Sequence, residues 1–161
     1  MEYTWMNELT QQLPKGAFLM VDGNPMTIGW AQYGILWSKP CLTVFVRESR
    51  HTFSLLQKSD TFTVSMPALS SMRQELGFCG SHSGRDVNKA EQLQLSLRPS
   101  HFGGQEGLSG CKLHIECKTL YRAVLHENEI DDETIRSRYY KDGDEHTMFI
   151  GEILGVWEED A

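Results

Sequence analysis

CLTVFVR, Cys41–Arg47, runs straight into ESRHT, Glu48–Thr52. An unbroken apolar and β-branched run of this length reads as a strand of the buried type; a half-exposed strand would alternate with polar residues. Ser49 then opens a helix to about Lys58, since a serine ahead of the first turn can accept from a free backbone N–H.

Outward from this pair, further strand signals follow. Thr61–Met66 (TFTVSM) is a strand, and Gly16–Asp22 is an apolar run closed by the turn pair Asp22-Gly23. Met26–Trp37 is rich in β-formers and reads as one strand with bulges or close backbone approaches at Gly29 and Gly34. Ser70-Ser71 starts a helix to about Phe78, and a Gly/Ser-rich loop, 80–86, leads into a short helix from Asp86 to Leu93. Gly103–Gly110 is a glycine-rich connector, Cys111–Leu125 a long strand, Asp131–Tyr140 a short helix with acids in its first turn, and Thr147–Trp157 a final strand. Six strands with only three or four short helices predict a mainly β fold, an antiparallel barrel rather than a βαβ succession. No repeat or linker divides the 161 residues, so one domain over 1–161 is expected, its core at about 16–157.

The formal charge of −7 is uneven: residues 127–161 hold 12 acids and 3 bases, residues 1–126 hold 10 acids and 12 bases. A nucleic-acid binder needs an array of cations to displace counterions, so none is expected; a small anion held by the first part of the chain fits. The longest uncharged stretch, 24–38, contains Asn, Gln, Pro and Gly and is shorter than the about 20 apolar residues of a membrane span. Met1-Glu2 opens no signal-peptide pattern, which predicts a cytoplasmic protein whose Cys41, Cys79, Cys111 and Cys117 are reduced thiols.

Standard nucleotide motifs are absent: there is no G-x-x-x-x-G-K-[ST] and no G-x-G-x-x-G between a strand and a helix. Gly80-Ser81-His82-Ser83-Gly84 has His where a nucleophile elbow needs Ser. Cys111-x-x-His114-x-x-Cys117 has metal-like spacing, but on a strand the two Cys share a face with Leu113 and Ile115 while His114 points the other way, so core thiols and no metal site are expected.

Two segments suit an anion. In Val46–Thr52, Arg47 and Arg50 are charged donors beside a helix start, with the hydroxyls of Ser49 and Thr52; on these residues alone a capped helix with solvated arginines accounts for them. In Ser81–Lys89, small hydroxyl residues lead into a helix carrying Arg85 and Lys89, with Asp86 as its cap. Between them in interest stands Asn24–Trp37, where glycines admit a flat ligand and Trp30 or Trp37 can cover one of its faces; a core strand with buried tryptophans fits equally.

Taken in order, Asn24–Trp30 (NPMTIGW), Lys39-Pro40, Val46–Thr52 (VRESRHT), Cys79–Lys89 (CGSHSGRDVNK) and His146–Glu152 (HTMFIGE) resemble the flavin reductase-like proteins, and more narrowly their flavoredoxin branch. The resemblance runs from about Gly16 to Trp157. It implies an FMN-binding split β-barrel, usually a homodimer with flavin near the subunit interface. Asn24, Met26, Thr27 and Trp30 would line the ring and ribityl chain. Arg47, Ser49, Arg50 and Thr52 would hold the phosphate, with Ser83 and Lys89 from the second loop. His146 matches a position at the nicotinamide or flavin edge, and as a lone residue it reads as a surface histidine of the acidic turn; His126 ends a strand and reads as surface. Members often carry an aromatic after the lysine, where this chain has Ala90. The implied activity is NAD(P)H-dependent flavin reduction with the nicotinamide bound transiently and no side-chain nucleophile. The alternatives are an FMN electron carrier serving a redox partner protein, or a split-barrel module without flavin. Cys79 is either a redox thiol or a half-buried one.

Overall fold

In the computed structural model, which describes residues 3–159, the run that opens the sequence is β4 (Lys39–Arg47), the next-to-edge strand of a seven-stranded sheet. Around it lie β1 (Ala17–Val21), β2 (Asn24–Ile28), β3 (Ala31–Leu36), β5 (Thr61–Met66), β8 (Leu113–Val124) and β9 (His146–Glu158). Their spatial order is β2-β1-β5-β8-β9-β4-β3, antiparallel throughout. A separate pair joins β6 (Leu97–Arg98) to β7 (Gly107–Leu108), the latter inside the glycine-rich connector.

The expected single strand 26–37 is two strands, β2 and β3, broken at Gly29-Trp30. Gly34 instead pairs regularly with Cys41, and no bulge falls there. The break decides the architecture. β2 and β3 occupy opposite edges of the sheet, yet only two residues join them. Three peptide steps reach at most about 11 Å, so the sheet must curl until its edges nearly meet. The result is a barrel whose seam is not hydrogen-bonded. The β3–β4 hairpin aligns Ala31 with Val44, so Phe45–Arg47 extend past the end of β3 and the seam gapes there.

Inside the barrel are Leu19, Val44, Phe62, Val64, Ile115 and Phe149, all without solvent exposure, and helix α1 (Trp5–Gln12) adds Trp5 and Leu9 to the same core. That helix has no counterpart in the strand and helix signals of the sequence. Alternate residues of β1, Phe18 and Met20, face outward into a second cluster with Leu76, Cys79, Ala90 and Cys111, under α3 (Arg73–Ser81) and α4 (Lys89–Gln92). β1 is therefore buried on both faces. All four cysteines are free and buried, as core thiols should be.

Helix starts shift from their expected places for local reasons. α2 (His51–Lys58) begins two residues after Ser49, because Arg50 is extended and the Ser49 hydroxyl is bonded to Asp144. α3 waits until Arg73, since Ser70 and Met72 adopt left-handed backbone angles. α4 is capped by the Asn88 side chain, which accepts from Glu91 N at 3.1 Å, while Asp86 lies in a preceding turn. α5 (Glu133–Tyr139) is capped by Asp132. Among the described residues no helix is long and apolar enough to cross a membrane, and no group of three His, Cys, Asp or Glu could hold a metal ion.

Candidate functional site

The seam opens into a cavity of about 240 Å³, walled by Met26–Trp30 on one side and by Phe45, Val46 and Arg47 on the other. β2 is an edge strand, so a row of its backbone groups lacks a strand partner and can bond a ligand. Trp30 remains 44% exposed and packs edge-on against Tyr139 of α5, with ring centroids 5.0 Å apart. His146, the first residue of β9, completes the wall; its ring centroid is 5.0 Å from that of Trp30.

A second cavity, of about 180 Å³, adjoins the first, and Met26 and Arg50 line both. Its walls are the two anion-suited segments: Ser49–Thr52 at the start of α2, and Gly80–Arg85 with Lys89. The segments are latched crosswise, Arg50 donating to the Gly80 carbonyl and Arg85 to the Ser49 carbonyl, both at the long distance of 3.4 Å. No side chain caps α2, and its first residues, His51 and Thr52, line this space at the positive end of the helix dipole. Arg50, Arg85 and Lys89 contribute positive charge, and none of the lining residues is acidic.

Lys89 is the most telling of these. It is 3% exposed, and its ammonium donates to the carbonyls of Pro25 and Cys79, each at 3.0 Å. Burial lowers its pKa, and the nearby Arg50 adds to that. A buried ammonium carries three donors; two are used on neutral carbonyls, and among the described residues no carboxylate pairs with it. His51, beside it, has its pKa lowered by burial and by Arg85 and Lys89. The whole pocket is electrostatically prepared for an anion.

Residues 12–161 match the family model of the flavin reductase like domain. The chain belongs to this family. A protein of Archaeoglobus fulgidus carrying the name "Uncharacterized protein" is 30% identical over 160 residues, 97% of this chain and 79% of the relative. The solved flavoredoxin of Methanosarcina acetivorans superposes with a TM-score of 0.68 at 23% identity, over 90% of this chain and 68% of that one. An FMN-binding protein from Thermus thermophilus gives 0.66 at 25% identity, over 89% and 71%.

Against this family background, the structure gathers most of the residues singled out in the sequence. Met26, Thr27 and Trp30 stand at the seam cavity, and Ser49, Arg50, Thr52, Ser83 and Lys89 at the cation-lined one. Asn24 departs from expectation: it lies behind the second cavity, its amide donating to Thr52 Oγ1 at 3.1 Å and its carbonyl packed on Gly84. Arg47 departs as well. It lines the seam cavity, and its guanidinium is spent on the Tyr139 carbonyl, at 2.8 Å, and the Asp144 carbonyl, away from the cationic pocket.

His146 is not a surface histidine; only 7% of it is exposed, and burial, reinforced by Arg47 against the pull of Asp144, lowers its pKa to about 4. His126 is exposed and pairs loosely with Glu145 at 3.8 Å. Cys79 is fully buried and burial pushes its thiol up to about 11, which leaves little thiolate for redox chemistry at neutral pH. Ala90, where the resemblance would place an aromatic, is buried in the second core.

Sequence reading missed two tyrosines of the acidic segment: Tyr139, which lines the seam cavity, and Tyr140, whose hydroxyl lies 2.8 Å from His146 Nδ1. It also passed over Glu116, whose buried carboxylate accepts from the backbone N–H groups of His101, Phe102 and Gly104 and from Trp157, and so holds the 100–104 loop. A period-two strand pattern places Glu116 opposite the core row, where solvent was the natural assumption; only the loop folded over it makes it buried.

Proposed function

We propose that the chain binds FMN and reduces flavin with NAD(P)H. The observation that carries this reading is the continuity of the two cavities through Met26 and Arg50: a slot beside an open strand edge joined to a carboxylate-free pocket of three cations. A ligand with a planar ring and a phosphate needs both. Together the cavities fall within the roughly 300–1,000 Å³ of small-molecule sites. Arg50, Arg85 and Lys89, with the hydroxyls of Ser83 and Thr52 and the α2 amides, would hold the phosphate; Met26, Thr27 and Trp30 would hold the ring. When bound, FMN supplies the hydride exchange with a nicotinamide. The chain's own share is to orient the ring along β2, to neutralise the phosphate, and to exclude water with Trp30, Phe45 and Tyr139. With no Rossmann motif, NAD(P)H would dock transiently at the mouth of the seam beside Trp30 and His146.

A carrier that keeps FMN and passes electrons to a protein partner is the second reading, favoured by the acidic segment from residue 127 onward, where Asp131, Asp132 and Glu133 at the N-terminal end of α5 would steer a basic partner. We also propose a cytoplasmic homodimer. β3 is an edge strand beginning one residue after Trp30, and Ile35 (71% exposed), Leu36, Trp37 and Tyr121 form an apolar surface beside it that a second copy would cover. Sedimentation at micromolar concentration tests this; a monomer ends it.

The absorption spectrum and mass of the copurifying ligand, followed by anaerobic stopped-flow mixing with NADH and NADPH, test the function. Flavin bands that bleach with either nucleotide support the reductase. Flavin that neither bleaches points to the carrier. A colourless protein that takes up no FMN leaves only the flavin-free module.

A further inference from the structure

His146 meets different surroundings at its two ring nitrogens. Nδ1 lies 2.8 Å from the Tyr140 hydroxyl. Nε2 has no hydrogen-bond partner among the described residues and is not one of the buried polar atoms left without one, so it opens on the cavity that the ring lines. The Tyr140 hydroxyl, on a residue 7% exposed, has His146 as its sole partner among the described residues. Were Nδ1 the protonated nitrogen, the phenolic hydrogen would be left without an acceptor in a buried place; with Tyr140 donating, both groups are satisfied.

Tyr140 itself is held firmly. Arg47 from β4 lies over its ring at 5.3 Å and ties down the carbonyls of Tyr139 and Asp144 on either side of it. The groups facing His146 are Arg47 and Asp144, with opposite effects on its charge, and the aromatic rings of Trp30 and Tyr140.

We propose that Tyr140 is a positioning residue that holds His146 in the tautomer whose Nε2–H faces the cavity, so that the site presents an uncharged donor to a carbonyl or amide oxygen of the planar ligand. The nature of that acceptor rests on the flavin-site reading; the tautomer does not. A neutral imidazole in this place donates a hydrogen bond and keeps its proton.

Nitrogen-15 NMR of the imidazoles at pH 7, on the protein as purified, tests the proposal, with His146→Asn supplying the assignment. A protonated Nε2 and a bare Nδ1 are expected. In Tyr140→Phe the signals should move toward a mixture of tautomers, and the His146 titration midpoint should rise by about one unit, because the lost hydrogen bond stabilised the neutral ring. A protonated Nδ1 in the parent protein, or a Tyr140→Phe spectrum matching the parent, overturns the proposal. Should Tyr140→Phe not fold, the tautomer of the parent protein decides alone. A bare Nδ1 in a protein that takes up no FMN overturns the flavin reading and the ligand assigned to the donor; a protonated Nδ1 in a protein that binds FMN overturns only the role of Tyr140.

Discussion

The ammonium of Lys89 lies 3.0 Å from the carbonyl oxygen of Pro25, joining the first residue of α4 to the second residue of β2 across 64 positions of chain. β2 walls the seam cavity and α4 borders the cationic pocket, so this bond ties the two cavities to each other. It also leaves a buried positive charge facing neutral oxygens, a cost that a bound anion removes.

Removing that charge together with its neighbour should therefore be felt in binding. Arg50→Ala combined with Lys89→Ala is expected to weaken FMN binding by more than about tenfold, since charged hydrogen bonds contribute roughly 1.5–3 kcal/mol each. Arg50→Ala alone, which disturbs only a long contact to Gly80, separates the phosphate effect from any loss of folding. Titration by flavin fluorescence quenching measures both, and unchanged affinity places the phosphate elsewhere.

Gly84 offers a different handle on the same pocket. A Cβ there would collide with the Asn24 carbonyl and stand 2.7 Å from His51 Cδ2. Gly84→Ala should push the loop outward, lowering stability by about 1–3 kcal/mol as overpacking does, and weakening FMN binding. Urea unfolding and the same flavin titration check it; a variant that matches the parent in both shows that the loop yields freely.

Arg47 predicts an effect on order rather than on charge. Its guanidinium holds the carbonyls of Tyr139 and Asp144, so Arg47→Ala should speed amide exchange across residues 139–145 while the β4–β9 ladder stays protected. Hydrogen exchange by mass spectrometry reads this directly, and equal protection of 139–145 in the two proteins counts against the tether.

The histidines give the stability a pH slope. The pKa values of His146, His114 and His51 are all lowered in the folded protein, His146 to about 4 from an ordinary 6.5. Between about pH 6.5 and 4 the unfolded chain binds protons that the folded His146 refuses, so stability rises with pH over that window and is lost as pH falls through it. The melting temperature should drop between pH 7 and 4.5, and less steeply in His146→Asn. Parallel curves for the two proteins exclude His146 as a source of the slope.

The strands from Thr61, Cys111 and Thr147 onward were legible because their apolar runs are long and bounded by turn residues. The stretch 26–37 misled because Gly29-Trp30 does not look like a boundary: β-formers flank it on both sides, and nothing local signals that the chain crosses a seam. Ser49 looked like a cap because a serine before a helix usually is one; its hydroxyl went to Asp144, 95 positions away, a partner that local sequence cannot announce. Arg47 illustrates the same limit. Its charge and position suit a phosphate, yet the carbonyls at the end of α5 and at Asp144, more than 90 positions away, claim it first.

From residue order alone came the antiparallel strand content, the two cation-bearing segments and the stretch beside which a ring could lie, because propensity, turn chemistry and charge are local properties. The tertiary structure alone decided that both segments face one pocket, that β2 and β3 are opposite edges of a single curled sheet, and that His146 is buried at the cavity with the Tyr140 hydroxyl at its Nδ1. Those relations depend on curvature and on partners many tens of residues apart, and closing such loops is settled by the packing of the whole barrel rather than by any one stretch of chain.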